Sequence, residues 1–250
     1  MTVASHHFAA PDGVTLAWQE QGEGRAVMLL HGLFSDADTN WIRFGHAETI
    51  AGRGFRVIMP DLRGHGASAR PHEASAYPPD ILASDGLALI AHLGLRDYDL
   101  GGYSLGARTA VRMVARGARP RRLVVSGMGL EGLLRTGARS AHFKAILEGL
   151  GTHKRGSPEW LAEAFLKTTG GDPEALLPLL DSFVDTGEEE LRAMAMPVLV
   201  LSGAEDHDNG SAEALAKLLP DGAYVEVPGN HMSAVTKPDL GRAIADFLAR

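Results

Sequence analysis

The stretch G-G-Y-S-L-G-A-R, residues 101–108, decides how this chain is read. Gly102, Ser104 and Gly106 spell G-x-S-x-G. Tyr98 to Tyr103, just before the serine, reads as a strand, and Leu105 to Ala115 reads as a helix. Ala107, Ala110, Val111 and Val114 recur at helical spacing, and Gly117 stops the pattern. A serine at such a junction stands on a sharp turn. Glycines two residues away on each side fit a turn that leaves no room for side chains. The helix N-terminus behind the serine offers a positive dipole and free N–H groups where an oxyanion would develop.

On both sides of this stretch, apolar runs alternate with helical patterns. Ala26–Leu30, Arg56–Met59, Arg122–Ser126 and Val198–Ser202 read as buried strands, and Ala223–Val227 as a last strand. Thr15–Gln21 pairs back across Pro11-Asp12-Gly13 to residues 3–8. Trp41–Ala51, Asp80–Leu93 and Asp239–Leu248 read as helices, with Asp80 as an N-cap and Gly94 just past the end. The alternation predicts an α/β fold, a mainly parallel sheet with helices on both faces. Residues 127–196 break it. They carry only helical pieces: Ser140–Leu150, Ser157–Thr168, Pro173–Phe183 and Glu188–Met194. The expected organisation is a core domain of residues 1–126 and 197–250, with 127–196 as a helical cap over one edge of the sheet.

Composition narrows the function classes. The chain has 250 residues, enough for one domain with an insertion. The net charge of −7 disfavours nucleic acid and anionic membranes as partners. With no cysteine, a thiol nucleophile, a disulfide and a Cys-ligated metal are all excluded. The N-terminus M-T-V-A-S-H-H-F shows no signal-peptide pattern, and no apolar run reaches membrane-spanning length. The expectation is a cytoplasmic protein, monomer or homodimer.

A nucleophilic serine needs a base, and the base needs an orienting acid. S-G-A-E-D-H-D, residues 202–208, follows the strand Val198–Ser202 and puts Asp206 beyond its carboxyl end, with Asp208 as the alternative. V-P-G-N-H-M, residues 227–232, follows the last strand and puts His231 in a loop. Ligand sites in parallel sheets form beyond the carboxyl ends of strands, where all three residues fall. Upstream, L-L-H-G-L-F, residues 29–34, makes the Leu33 N–H the candidate oxyanion donor beside that of Leu105, with Phe34 as the fallback. P-D-L-R-G-H-G-A-S, residues 60–68, follows the next strand.

Together H-G-L-F, D-L-R-G-H-G-A-S, G-Y-S-L-G, G-A-E-D and G-N-H, in this order, resemble the α/β-hydrolase superfamily over essentially the whole chain. The resemblance implies a mostly parallel eight-stranded sheet, a cap after the sixth strand and hydrolysis through an acyl-enzyme. Ser104 matches the nucleophile, Asp206 the acid and His231 the base. Haloalkane dehalogenases and epoxide hydrolases resemble the chain elsewhere but carry Asp at the elbow. The serine therefore points to a carboxylic-ester hydrolase acting on a small ester or lactone, with no cofactor. The elbow is also similar to that of a menaquinone-pathway lyase that eliminates pyruvate. Tyr103 and Arg108 match its flanking residues, and Arg135 and Arg139 are candidate partners for a polyanion. A perhydrolase activity and a ligand-sensing or non-catalytic member of the fold are further alternatives.

The remaining polar motifs have structural readings. His31 bonds nearby loops, and Asp61, Arg63 and His65 shape a turn. His207 is loop polarity, since no cluster shows metal-ligand spacing. Arg108 is a salt-bridge or solvent-facing residue, or else grips an anionic substrate. Trp160, Phe143, Phe165 and Phe183 belong to the core of the cap, and Phe143 and Trp160 are candidates to line the acyl pocket together with Phe34 and Tyr103.

Overall fold

The computed structural model describes residues 2–250. Its strands are β1 (Val3–Ala9), β2 (Thr15–Gln21), β3 (Arg25–Leu30), β4 (Phe55–Pro60), β5 (Tyr98–Tyr103), β6 (Leu123–Ser126), β7 (Val198–Gly203) and β8 (Gly222–Val227). They form one sheet in the order β1-β2-β4-β3-β5-β6-β7-β8. β1, β2 and β4 pair antiparallel, and every pairing from β4 through β8 is parallel.

The central strands are mostly apolar because both faces are covered. Met28, Leu30, Leu100, Leu123 and Val125 face α2 (Ile81–His92) and α3 (Leu105–Ala115). Val27, Leu29, Val57, Met59 and Val124 face the opposite side, against α1 (His46–Ala51) and α10 (Pro238–Leu248). Odd and even residues of one strand thus feed two separate cores. Met28, Leu30, Leu100 and Leu123 are fully buried, and each such side chain contributes roughly 1.5–3 kcal/mol.

Between β6 and β7 the chain makes only helices: α4 (Leu130–Leu134), α5 (Thr136–Glu148), α6 (Pro158–Thr168), α7 (Pro173–Asp181) and α8 (Glu188–Arg192). Ser157 caps α6 by accepting from the Trp160 N–H at 3.2 Å, and Asp172 caps α7. This insertion is tied to the sheet's loops. Thr169 donates to the Phe34 carbonyl at 2.7 Å, and Arg70 donates to the Gly170 carbonyl at 2.8 Å.

Several local expectations need correction. The helix expected over Trp41–Ala51 is two pieces, a π-helical turn at Asp38–Ile42 and α1. Gly45, at φ 75°, breaks it. Asp80 does stand at the N-cap position of α2, but at φ 64° and without a side-chain capping bond; its carboxylate takes Arg112 at 2.8 Å instead. α5 begins four residues before Ser140. α9 (Ala212–Leu218), with Ser211 as its N-cap, lies where only a connection was expected. Among the described residues, no helix is long and apolar enough to cross a membrane.

Candidate active site

Ser104 stands between β5 and α3 at φ 54°, ψ −112°. A side chain in that region is strained by roughly 1–3 kcal/mol. The neighbours hold it there. The Ser104 N–H donates to the Ser126 carbonyl at 2.8 Å, and its own carbonyl accepts from the Arg108 N–H at 3.0 Å. The flanking glycines allow the crossing. A Cβ on Gly102 would overlap the carbonyl carbon of Gly106, and one on Gly106 would overlap the Leu30 carbonyl oxygen. The elbow is therefore pressed against the end of β3.

His231 comes from the loop after β8. Asn230 shapes that loop, its side-chain oxygen accepting from the N–H groups of Met232 at 3.1 Å and Ser233 at 2.9 Å. The Tyr103 hydroxyl donates to the His231 carbonyl at 2.6 Å. The His231 ring lies between Ser104 and Asp206. Its Nε2 is 2.9 Å from the Ser104 hydroxyl, and its Nδ1 is 2.8 Å from the Asp206 carboxylate. Since the carboxylate is acceptor-only, Nδ1 carries the proton and Nε2 accepts from the serine. The Asp206 side chain is 3% exposed, against 49% for Asp208, which pairs with Arg139 at 3.1 Å. Burial pushes the Asp206 carboxyl up, but the hydrogen bonds from His231 and the Asp208 N–H, with the Arg139 cation nearby, outweigh that and hold it below its ordinary value.

The loop after β3 lies beside the elbow. A Cβ on Gly32 would touch the Ser104 Cβ at 3.6 Å. The Gly32 N–H donates to Asn40 at 3.0 Å, which fixes the residue before Leu33. His31 accepts from the Leu62 N–H at Nε2 (2.9 Å) and donates from Nδ1 to the Gly32 carbonyl (2.8 Å). The Asp61 carboxylate accepts from the Ala37 and Ala67 N–H groups, both at 2.8 Å. Arg63 is fully buried and bidentate on Asp85, with a third bond to Asp12. These contacts tie the loops together.

Phe34, at φ 61°, meets the Phe143 ring edge-on at 5.4 Å, so two of the candidate pocket residues are in contact. The Arg139 guanidinium lies 4.8 Å over the other neighbour in this stack, Phe143. Trp160 is half-buried on α6. Tyr103 is buried, and its hydroxyl is taken by the His231 backbone. Arg108 is neither the salt-bridge nor the solvent-facing residue that the sequence suggested. It is 5% exposed, stacks over Phe183 at 5.0 Å and, among the described residues, has no carboxylate within ion-pair distance. Asp206, Asp208 and His231 bring ligand atoms within 4.8 Å of one another, the one metal-type grouping among the described residues. In it, His231 Nδ1 is engaged by Asp206 and Asp208 by Arg139. Asn40 and Asn230 were not legible as site residues: a lone asparagine gives no signal until the fold shows which N–H groups it meets.

The profile described as "Alpha/beta hydrolase family" matches residues 27–240. This chain belongs to the alpha/beta hydrolase family. One relative within it is the AB hydrolase superfamily protein YisY of Bacillus subtilis, 31% identical, with 80% of this chain and 81% of that protein aligned. A non-heme haloperoxidase of Rhodococcus erythropolis is 39% identical over 43% of this chain, but the aligned stretch spans only 37% of that relative. Among solved structures, a thermophilic esterase from Thermogutta terrifontis, with malate bound, superposes with a TM-score of 0.78 at 24% identity, covering 99% of this chain and 98% of that one. That likeness shows the hydrolase fold.

Proposed function

We propose that this alpha/beta hydrolase is a serine hydrolase that cleaves a small carboxylic ester or lactone through an acyl-enzyme. The observation that carries this reading is the unbroken chain of hydrogen bonds from the Ser104 hydroxyl through His231 to Asp206, at 2.9 and 2.8 Å. Ser104 attacks the ester carbonyl as its proton passes to His231 Nε2. The Leu33 and Leu105 N–H groups stabilise the oxyanion, each worth roughly 3 kcal/mol. His231 then gives the proton to the leaving alkoxide. Water, deprotonated by His231, attacks the acyl carbonyl and frees Ser104. Asp206 holds the Nδ1 tautomer and the positive charge that forms on the ring. This chemistry calls for no metal and no organic cofactor.

The edge-on contact of Phe34 and Phe143 supports an apolar acyl group. The lyase alternative asks Tyr103, Arg108 and Arg139 to meet a polyanion. Here the Tyr103 hydroxyl is engaged by His231, Arg139 by Asp208, and Arg108 is packed under Phe183. Those engagements favour the ester reading. A sensing or scaffolding role would tolerate a missing triad member, and none is missing.

The test is stopped-flow hydrolysis of p-nitrophenyl acetate, butyrate and octanoate. The reading predicts a burst of nitrophenol with wild type, none with Ser104→Ala, and a preference for the short chains. Absence of turnover on all three esters would contradict it.

A further inference from the structure

We infer that Tyr103 is a positioning residue for the base: its hydroxyl, bonded to the His231 carbonyl, sets the distance between the nucleophile and the imidazole. The inference rests on the triad reading and deepens it. Tyr103 is the residue directly before Ser104, and its bond to the His231 carbonyl is 2.6 Å long. One side chain thus joins the two loops that must meet for the proton to move, the elbow after β5 and the loop after β8.

His231 has few other anchors. It lies between the end of β8 at Val227 and the turn that begins at Ala234. The Asn230 side chain shapes this stretch, but its bonds reach only Met232 and Ser233. The link to the loop after β7, from the Glu205 N–H to the Gly229 carbonyl at 3.0 Å, comes two residues earlier. Among the described residues, the bond from Tyr103 is the one hydrogen bond to the His231 main chain. The ring's own bonds to Ser104 and Asp206 cannot replace it, because the bond to Ser104 is the one that proton transfer breaks and remakes.

The hydroxyl is itself fixed. Tyr103 is buried, and Gly127, at φ 61°, lies against the tip of its ring. A Cβ on Gly127 would stand 2.9 Å from the ring carbon that bears the hydroxyl. Gly127 is held in turn: its N–H donates to the Leu201 carbonyl at 2.8 Å, and its carbonyl accepts from Asn209 at 2.9 Å. Burial, with the Asp206 and Asp208 charges nearby, pushes the Tyr103 hydroxyl up, so it keeps its proton and donates at neutral pH. A phenylalanine would fill the same space and leave the His231 carbonyl without its donor. A base that drifts out of hydrogen-bond reach of its nucleophile loses rate rather than substrate binding.

Tyr103→Phe tests this, because the ring stays and only the donor goes. On p-nitrophenyl acetate, kcat should fall by about 10- to 100-fold, with KM within about 2-fold of wild type. 4-Aminophenylalanine in place of Tyr103 keeps a donor on the same ring and should recover most of the loss. A side chain that only stabilised the fold would lower Tm and leave kcat per folded chain unchanged. A second readout needs no ester turnover, and so separates this proposal from the ester reading. The downfield Nδ1–H proton signal of His231 should be sharp in wild type and broadened or lost in Tyr103→Phe. Should that variant fail to fold, a wild-type crystal structure with a phosphonate on Ser104 decides. The Tyr103–His231 bond kept, with the ring seated on Asp206, supports the tether. Wild-type kcat and proton signal in Tyr103→Phe, or a seated ring with that bond open in the adduct, overturns it.

Discussion

Ser104 is held in a backbone conformation that a serine avoids, and its hydroxyl is aimed at His231. Its residue type and its neighbours made it legible in the sequence. The acid was harder. G-A-E-D-H-D offers Glu205, Asp206 and Asp208 within four residues, and spacing alone does not choose among them. Under the proposed mechanism, burial and direction favour Asp206: its side chain is nearly enclosed and meets His231, whereas Asp208 is half exposed and meets Arg139. Asp206→Asn is therefore expected to lower kcat by about 10⁴, because the imidazole loses the partner that fixes its tautomer. Asp208→Asn is expected to lower it by less than about 10-fold, as an exposed ion pair contributes little. Steady-state kinetics on p-nitrophenyl acetate, with Tm measured for both variants, checks the pair. The salt-bridge reading of Arg108 did not hold at this scale, since one-turn spacing on a helix says nothing about whether a carboxylate waits at the end of the side chain.

At the scale of elements, the elbow works because β3, β5 and α3 approach one another at backbone distance. Gly106 is the point of contact, where any side chain would enter the Leu30 carbonyl. Gly106→Ala should destabilise the fold by more than about 2 kcal/mol, within the range for overpacking a site that cannot give. Urea unfolding reads this as a lower midpoint at unchanged slope; a midpoint equal to wild type would contradict the close approach. The buried strands were legible because continuous apolar runs of this length have few other uses. Helix boundaries were less so. Nothing in R-F-G-H, residues 43–46, distinguishes a continuing helix from one broken at Gly45, since either chain direction buries Trp41 and Ile50. Asp80 looked like a cap by type, yet its carboxylate meets Arg112, a partner 32 residues away that local sequence does not reveal.

For the whole molecule, the order of motifs predicted the sheet and the family, because each motif follows a strand and the strands line up. How the helical insertion packs was not legible, since helical periodicity gives an apolar face but not its neighbour. The buried His31–His65 pair couples the molecule's stability to pH. Burial, and then the neighbouring His31, push His65 from 6.5 down to about 3, and burial lowers His31 too. The unfolded chain takes up protons first, so this stability is complete above about pH 6.5 and is lost as pH falls toward 3. For His65 the slope is about 1.4 kcal/mol per pH unit within that window. Asp85, pushed up to about 6 by burial against the pull of Arg63, acts with the opposite sign. Urea unfolding of wild type and His65→Gln between pH 7.5 and 5 cancels that contribution. The variant should show the shallower slope; equal slopes would contradict the account.

The central claim is that Ser104 carries the acyl group. The most direct measurement is intact-protein and peptide mass spectrometry after acid quench of the reaction with p-nitrophenyl acetate. The account predicts one acetyl group per chain, on the peptide containing Ser104, and none on Ser104→Ala. An unmodified wild-type chain during turnover, or an acetyl group that persists in Ser104→Ala, would contradict it.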